Sequence, residues 1–211
     1  MNKIVLLLFL SFLTAACTQN RPQQQDESRI DPKILISCEG IGEVKLSYSH
    51  ADLEKKFGAD ALTEHENTIS GTYTTIWGGE LRRLDIYWKE SAPPFKQIKY
   101  IEVNEVSSPY VTEKGLKVGI SLKDVVRING NMPLTFTNFY AANNSGDITS
   151  FNGGDIEKEL PCISGRIEMY NKRNVHEDEL LKFREKKEIE SYETIFERID
   201  AALGSIRVIN K

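Results

Sequence analysis

Residues 114–134 read KGLKVGISLKDVVRINGNMPL, an order of residue types that predicts a strand, a short capped helix and a glycine stop. Ser121 stands three residues before Asp124, which is the spacing of a helix capping box. Gly130 comes after two apolar residues at helical spacing and is suited to a left-handed C-terminal cap. The apolar residues before the cap alternate as in a strand: Leu116, Val118 and Ile120.

The same layout occurs 72 residues earlier, over residues 43–62. Ser49 stands three residues before Asp52, and Gly58 ends the predicted helix. A repeat at a period above about 50 residues indicates duplicated modules, and chance recurrence of a common local unit is the alternative. When 45–62 is aligned with 117–134 without a gap, five positions are identical: Lys45 and Lys117, Ser49 and Ser121, Asp52 and Asp124, Gly58 and Gly130, Leu62 and Leu134.

The two stretches open two predicted modules, about 40–103 and about 112–170, each with a short helix and antiparallel strands. In the first module, strand-like runs flank Gly78-Gly79, a pair that tolerates the positive φ of a tight hairpin turn. In the second, two strands around a polar turn precede a third over 163–170. Trp88 alternates with apolar neighbours, which favours the core over an exposed aromatic platform.

Residues 175–211 carry a helical pattern. Acidic residues at 177–179 favour a helix N-terminus, and a longer amphipathic helix is expected between Ser191 as its cap and Gly204 as its stop. The predicted fold is therefore α+β, in which two short-helix-plus-antiparallel-sheet modules form one domain over 31–211 with C-terminal helices. The stripe of the longer helix consists of Tyr192, Ile195, Phe196, Ile199, Ala202 and Leu203.

The composition is typical of a globular protein: the 211-residue chain is 40% hydrophobic and 27% charged. Its net charge is −4, and the acidic and basic residues are interspersed without a long basic stripe. This argues against a nucleic-acid partner, because binding nucleic acid requires concentrated positive charge to meet the phosphates.

The N-terminus has the layout of an export signal, in which an apolar run over 4–13 leads to Ala15, Ala16 and Cys17. The run is shorter than the ~20 residues that a membrane-spanning helix needs. Small residues directly before a cysteine resemble the lipobox of bacterial lipoproteins, with Thr14 where leucine is usual. The resemblance implies a signal peptide over 1–16 and lipidation of Cys17; an ordinary secretory signal is the alternative.

Three acyl chains on Cys17, such as palmitate, would exceed the two lipid signals that stable membrane anchoring requires. The lipid bilayer is then the partner of the N-terminus. Thr18 follows Cys17, whereas aspartate at that place resembles an inner-membrane retention signal, so the outer membrane is favoured within the bacterial envelope. Residues 17–30 are polar and predict a flexible tether.

Cys38 and Cys162 form an even pair in an exported protein, which indicates a possible disulfide. A bond that closes so long a loop stabilises by ~4 kcal/mol in the chain-entropy model. It also requires Cα atoms within about 7 Å of each other. Two buried free thiols, or one reactive thiol, are the alternatives.

The sequence contains no recognisable catalytic, metal-binding or cofactor-binding motif. His50, His65 and His176 lie far apart in no ligand or triad spacing, and their neighbours predict a solvated surface. We therefore assign no catalytic residue, no metal ligand and no cofactor, and we expect a non-enzymatic protein.

Part of the second copy resembles the signature of small SmpA/OmlA-type envelope lipoproteins, whose fold is like the tandem modules of the beta-lactamase inhibitor protein. The first copy has Ser47 and Ala61 where the second has glycine and proline. The resemblance implies a module that binds an envelope protein or stabilises an envelope assembly, without catalytic residues. The matching residues are Gly119-Ile120-Ser121, Asp124-Val125, Gly130 and Pro133.

Two other function classes are expected to leave different traces in the structure. An enzyme inhibitor would show a concave, aromatic-rich sheet face with a protruding loop. A hydrolytic enzyme would show a pocket in which perturbed acidic groups or a free cysteine converge.

Overall fold

The computed structural model describes residues 30–67, 71–142 and 145–210, which form helices and antiparallel sheets. The first half contains β1 (Ile36–Ser37), β2 (Gly40–Ile41), β3 (Val44–Lys45), α1 (His50–Phe57), β4 (Leu62–Asn67), β5 (Gly71–Ile76), β6 (Leu84–Trp88) and β7 (Ile98–Val103). The second half contains α2 (Leu122–Ile128), β8 (Thr135–Thr137), β9 (Ile148–Ser150), α3 (Asp155–Glu159), β10 (Ile163–Lys172), α4 (Glu177–Glu185), β11 (Glu188–Glu190) and β12 (Ile199–Ile209). The α+β class is confirmed, with more sheet than helix.

The main sheet has six strands in the order β10-β12-β7-β6-β5-β4, and every neighbouring pair is antiparallel. Two smaller sheets have the orders β1-β2-β3 and β11-β8-β9. An isolated bridge between Asp147 and Arg166 connects the β9 side to β10. The hairpin predicted around Gly78-Gly79 is confirmed as β5 and β6, and its third strand is β7.

Both predicted helix caps are confirmed. Ser49 Oγ accepts from the Asp52 N–H at 3.2 Å, and the Asp52 carboxylate accepts from the Ser49 N–H at 2.9 Å, which completes a capping box. Ser121 Oγ accepts from the Asp124 N–H at 3.1 Å at the start of α2. These serine side chains satisfy backbone donors that the first helical turn leaves unpaired.

The prediction of a strand directly before α2 is wrong, because this segment is irregular. Gly115 and Gly119 have φ values of 84° and 88°, which interrupt an extended chain. The segment still joins the main sheet at one point. The Gly119 N–H donates to the Leu203 carbonyl at 2.7 Å, and the Leu203 N–H donates to the Ile120 carbonyl at 2.9 Å.

The C-terminal prediction is half wrong. The helix that begins at Glu177 is confirmed as α4, but the stripe over 192–203 forms a short 3-10 turn, Thr194–Glu197, followed by the eleven-residue strand β12. β12 lies between β10 and β7, and its residues from Ala201 to Ile206 are buried without alternation. An apolar run in a strand buried on both faces cannot be distinguished from a buried helix by periodicity.

A single hydrophobic core joins both halves of the described chain. It includes Leu53 of α1, Ile86 of β6, Val125 of α2 and Ile206 of β12, all inaccessible to solvent. Trp88 is 5% exposed, so its predicted place in the core is confirmed. Side chains alternate along a strand. In β6, the residues on either side of Ile86 therefore point to the face of the sheet opposite the core.

Candidate protein-binding face

Four aromatic side chains form a row across the face of the main sheet opposite the core, which we call the tyrosine ladder. Its members are His65 of β4, Tyr73 of β5, Tyr87 of β6 and Tyr100 of β7, each paired in register with the next. The distances between neighbouring ring centroids are 4.8, 5.0 and 4.3 Å, and the interplanar angles are 20°, 18° and 20°.

The strand register explains this stacking. Ile86 points into the core, so its neighbour Tyr87 points to the other face. Side chains directly opposite each other on antiparallel strands are close enough for aromatic rings to contact. Because each ring covers the face of its neighbour, the ladder presents ring edges and hydroxyl groups outward.

The ladder tyrosines are half buried, and this burial changes their acidity. Burial raises the pKa of Tyr100 to about 12 against the opposing effect of Arg207, and burial with the nearby Glu102 raises the pKa of Tyr87 as well. Both side chains are therefore neutral hydrogen-bond donors at neutral pH. Within the described part of the chain, no hydroxyl group of the three ladder tyrosines has a hydrogen-bond partner.

A charged cluster lies at the Tyr100 end of the ladder. The Arg207 guanidinium carbon lies 5.6 Å from the Tyr100 ring centroid, within the range of a cation–π contact. Arg207 also donates to Glu102 Oε1 at 2.7 Å and to Asp147 Oδ1 at 3.1 Å, and Arg166 reaches the same Asp147 oxygen at 3.3 Å. Although burial alone would lower the pKa of Arg207, the two carboxylates raise it above its usual value.

A polar row runs beside the ladder on the same face. Asp85 lies on this face and is only 3% exposed. Its carboxylate accepts from Thr75 at 2.7 Å, from Arg83 at 3.1 Å and from Asn104 at 3.4 Å. These partners compensate the cost of burying a carboxylate.

The structure brings the two remaining cysteines together. Cys38, in the turn between β1 and β2, and Cys162, directly before β10, form a disulfide with Cα atoms 5.4 Å apart. The bond links positions 124 residues apart and connects the first small sheet to the main sheet.

The prediction that His50 lies on the solvated surface is wrong. Its side chain is 18% exposed and packs near the rings of Trp88 and Phe95. His50 Nε2 lies 3.3 Å from a Glu64 carboxylate oxygen. His65 is half buried in the ladder and His176 is exposed, so the three histidines do not converge.

The signal peptide expected over 1–16, the lipidation site Cys17 and the tether up to residue 29 lie outside the described residues. Among the residues that the structure describes, no helix is long and apolar enough to cross a bilayer. The same residues contain no group of three or more His, Cys, Asp or Glu side chains that could hold a metal ion.

A groove of about 850 Å³ lies between α2 and the start of β12. Tyr170 and Tyr192 line it and are 55% and 59% exposed. Arg173 and Asp200 form an ion pair in its wall. These tyrosines lie outside the tyrosine ladder, which makes Tyr170 a useful control position.

The tyrosine ladder was missed in the sequence, because its members lie on four strands whose register is not evident there. The available signal was a tyrosine at an outward position of each of three predicted strands.

Comparisons with protein-family models, with curated proteins and with solved structures found no match.

Proposed function

We propose that this protein is a lipid-anchored lipoprotein of the bacterial envelope, with the outer membrane favoured, whose folded domain binds another protein and catalyses no reaction. Support for the anchor comes from the short apolar run and the small residues before Cys17. A flexible tether over 17–30 would have a root-mean-square end-to-end distance of about 20 Å between the bilayer surface and the domain.

The tyrosine ladder is the observation that carries the protein-binding function. Tyrosine offers a large, rigid and amphipathic contact surface at low cost in side-chain entropy, and it is enriched at interface hot spots. Here the rings are stacked before any partner arrives, so binding would order few side chains. The unpaired hydroxyl groups of Tyr73, Tyr87 and Tyr100 would supply donors to the partner.

The proposal includes duplicated modules of the SmpA/OmlA type. In support, α1 is followed by the strands β4 to β7 and α2 is followed by β8 to β10, and each helix begins at a Ser-x-x-Asp cap. The second set of strands is divided between two sheets, whereas the first set lies in one.

Affinity capture from envelope extract tests the protein-binding function. Wild-type protein and Tyr170→Ala should recover the same stoichiometric partner, whereas Tyr87→Ala should lose it because the central ring of the ladder is removed. Tyr170→Ala is the control for removal of an exposed tyrosine elsewhere. Recovery of the same partner by a folded Tyr87→Ala protein would contradict the proposal.

Cell fractionation tests the anchor separately. The wild-type protein should be found in the membrane fraction, and Cys17→Ser should be soluble or unprocessed, because the acylated side chain is removed. Unchanged membrane fractionation of Cys17→Ser would exclude lipidation as the anchor.

An enzyme inhibitor is a second candidate, favoured by the aromatic-rich sheet face. In that case the captured partner would be an enzyme, and a stoichiometric amount of this protein would reduce its turnover. Undiminished turnover in the complex would leave only the binding or scaffolding function.

A further inference from the structure

β4 is the outermost strand of the main sheet, and no other described strand pairs with its outer edge. The Trp77 N–H donates to the Ala61 carbonyl at 3.0 Å, which shows that odd-numbered residues here direct their backbone groups toward β5. In an antiparallel ladder the direction alternates from residue to residue. The N–H and C=O groups of Glu64 and Glu66 therefore point away from the sheet.

The side chains along this edge form a defined pattern. Glu64 and Glu66 are exposed and lie on the face opposite His65. Among the described residues, neither glutamate pairs with a lysine or an arginine, and the nearest basic group to Glu64 is His50. His65 stacks on Tyr73 with one ring face, and no described ring covers the other.

We propose that β4 is the docking edge for an extended, basic segment of the protein partner, which adds to the main sheet as a further strand. The backbone groups of Glu64 and Glu66 would pair with the added strand. Basic side chains of that segment would face the two glutamates, and an aromatic side chain between them would stack on the free face of His65. The partner segment is thus identified by an alternation of basic and aromatic residues.

A second copy of this chain does not fit the edge. In an antiparallel pair of β4 strands centred on His65, Glu64 of each copy would stand opposite Glu66 of the other. Like charges directly opposite each other destabilise a strand pair, and charged edges are a common means of preventing self-association. The same two charges attract a basic segment.

The inference deepens the proposed function and rests on it, because the added strand would extend the tyrosine ladder. It is tested with a defined probe, a blocked peptide of alternating lysine and tyrosine, and with a matched peptide of alternating glutamate and tyrosine. Fluorescence anisotropy on the full-length protein in detergent should show that it binds the lysine peptide at least tenfold more tightly than the glutamate peptide. Hydrogen exchange should slow at the amides of β4.

Three variants locate the binding. Glu66→Pro removes an outward-pointing N–H that the sheet does not use, so it should weaken binding at least tenfold while the protein stays folded by circular dichroism. Glu66→Gln should weaken binding severalfold. Glu190→Gln, at the exposed edge strand β11 of another sheet, should have no effect and controls for general attraction of a cationic peptide.

Three results would each overturn the inference. They are no binding of the lysine peptide, an equal loss of affinity in Glu66→Gln and Glu190→Gln, and unchanged hydrogen exchange at the amides of β4. The exchange measurement on wild-type protein decides the matter even if Glu66→Pro does not fold. If Tyr87→Ala loses the captured partner while the β4 variants retain it, the proposed function stands and only this inference fails.

Discussion

The two capped helices begin with the same Ser-x-x-Asp pattern, yet the strands that follow them are arranged differently. After α1, the strands β4 to β7 lie side by side in one sheet and end in an open edge. After α2, β8 pairs with β9 on one side and with β11 on the other, while β10 pairs with β12 in the main sheet. A serine cap determines where a helix begins, but it does not determine which strands pair.

The difference arises from the C-terminal strand. β12 pairs with β10 on one side and with β7 on the other, so it joins the last strand of the second region to the last strand of the first. The position of β10 therefore depends on residues 27 to 45 positions further along the chain, from the pair Lys172 and Ile199 to the pair Ile163 and Val208. Long-range strand pairing of this kind is determined by burial, which local sequence does not report.

Removal of the disulfide, which connects the two regions, should have the largest effect on stability. Replacing both Cys38 and Cys162 by alanine should lower the free energy of unfolding by ~4–5 kcal/mol in the chain-entropy model, because the unfolded chain regains the freedom of a long loop. Urea unfolding measures this loss, and reduction of the wild-type protein should reproduce most of it.

Electrophoresis provides an independent check on the same bond. The oxidised protein should migrate faster than the reduced protein, since its unfolded chain is more compact. Equal mobility, together with two titratable thiols, would show that the cysteines are not linked.

Arg207 makes a second connection, because it pairs with Glu102 of β7 and with Asp147 beside β9. Arg207→Met should destabilise the protein by about 3 kcal/mol, since it leaves a buried carboxylate without its cation. The control is Arg173→Met, because the Arg173 side chain is 61% exposed in its pair with Asp200 and should contribute less than about 1 kcal/mol. Equal losses in urea unfolding would show that Arg207 does not act as a buried link.

The sequence predicted local elements well where one short signal decides them. Ser49 and Ser121 cap helices as predicted, and Trp88 is buried. The first part of β12, up to Leu203, was predicted as the end of a helix, because burial on both faces removes the alternation that identifies a strand. The short helix α3 and the strand β4 were not predicted, and β4 is a polar edge strand in which only Leu62 is apolar.

The tyrosine ladder could not be predicted because it depends on the length of one turn. A two-residue turn at Gly78-Gly79 would place Tyr73 opposite residue 84, a core position. In the structure the turn spans 77–83, and Trp77 opens it with a φ of 55°, which is unusual for a residue other than glycine. Tyr73 therefore stands opposite Tyr87, and the rings stack.

The smallest expected effect is a pH-dependent loss of stability when the aspartate of either helix cap is removed. Hydrogen bonds from Ser49 hold the pKa of Asp52 below its ordinary value of 3.8, and those from Ser121 and Arg127 hold the pKa of Asp124 below it. A carboxylate whose pKa is lowered by folding stabilises the protein above its unfolded pKa, and this stabilisation is lost as the pH falls through the folded value. Asp52→Ala and Asp124→Ala should therefore both be less stable than wild type at pH 7, and the difference should shrink below pH 3.8.

The two caps should nevertheless differ in size of effect. Asp52 also accepts from the backbone N–H of Ser49, whereas the second partner of Asp124 is the exposed side chain of Arg127. Asp52→Ala should accordingly lower the urea midpoint more than Asp124→Ala, because it leaves a backbone donor to water. Equal shifts at pH 7 would mean that the reciprocal bond of the capping box adds nothing, and that the two caps are equivalent in energy as well as in their Ser-x-x-Asp pattern.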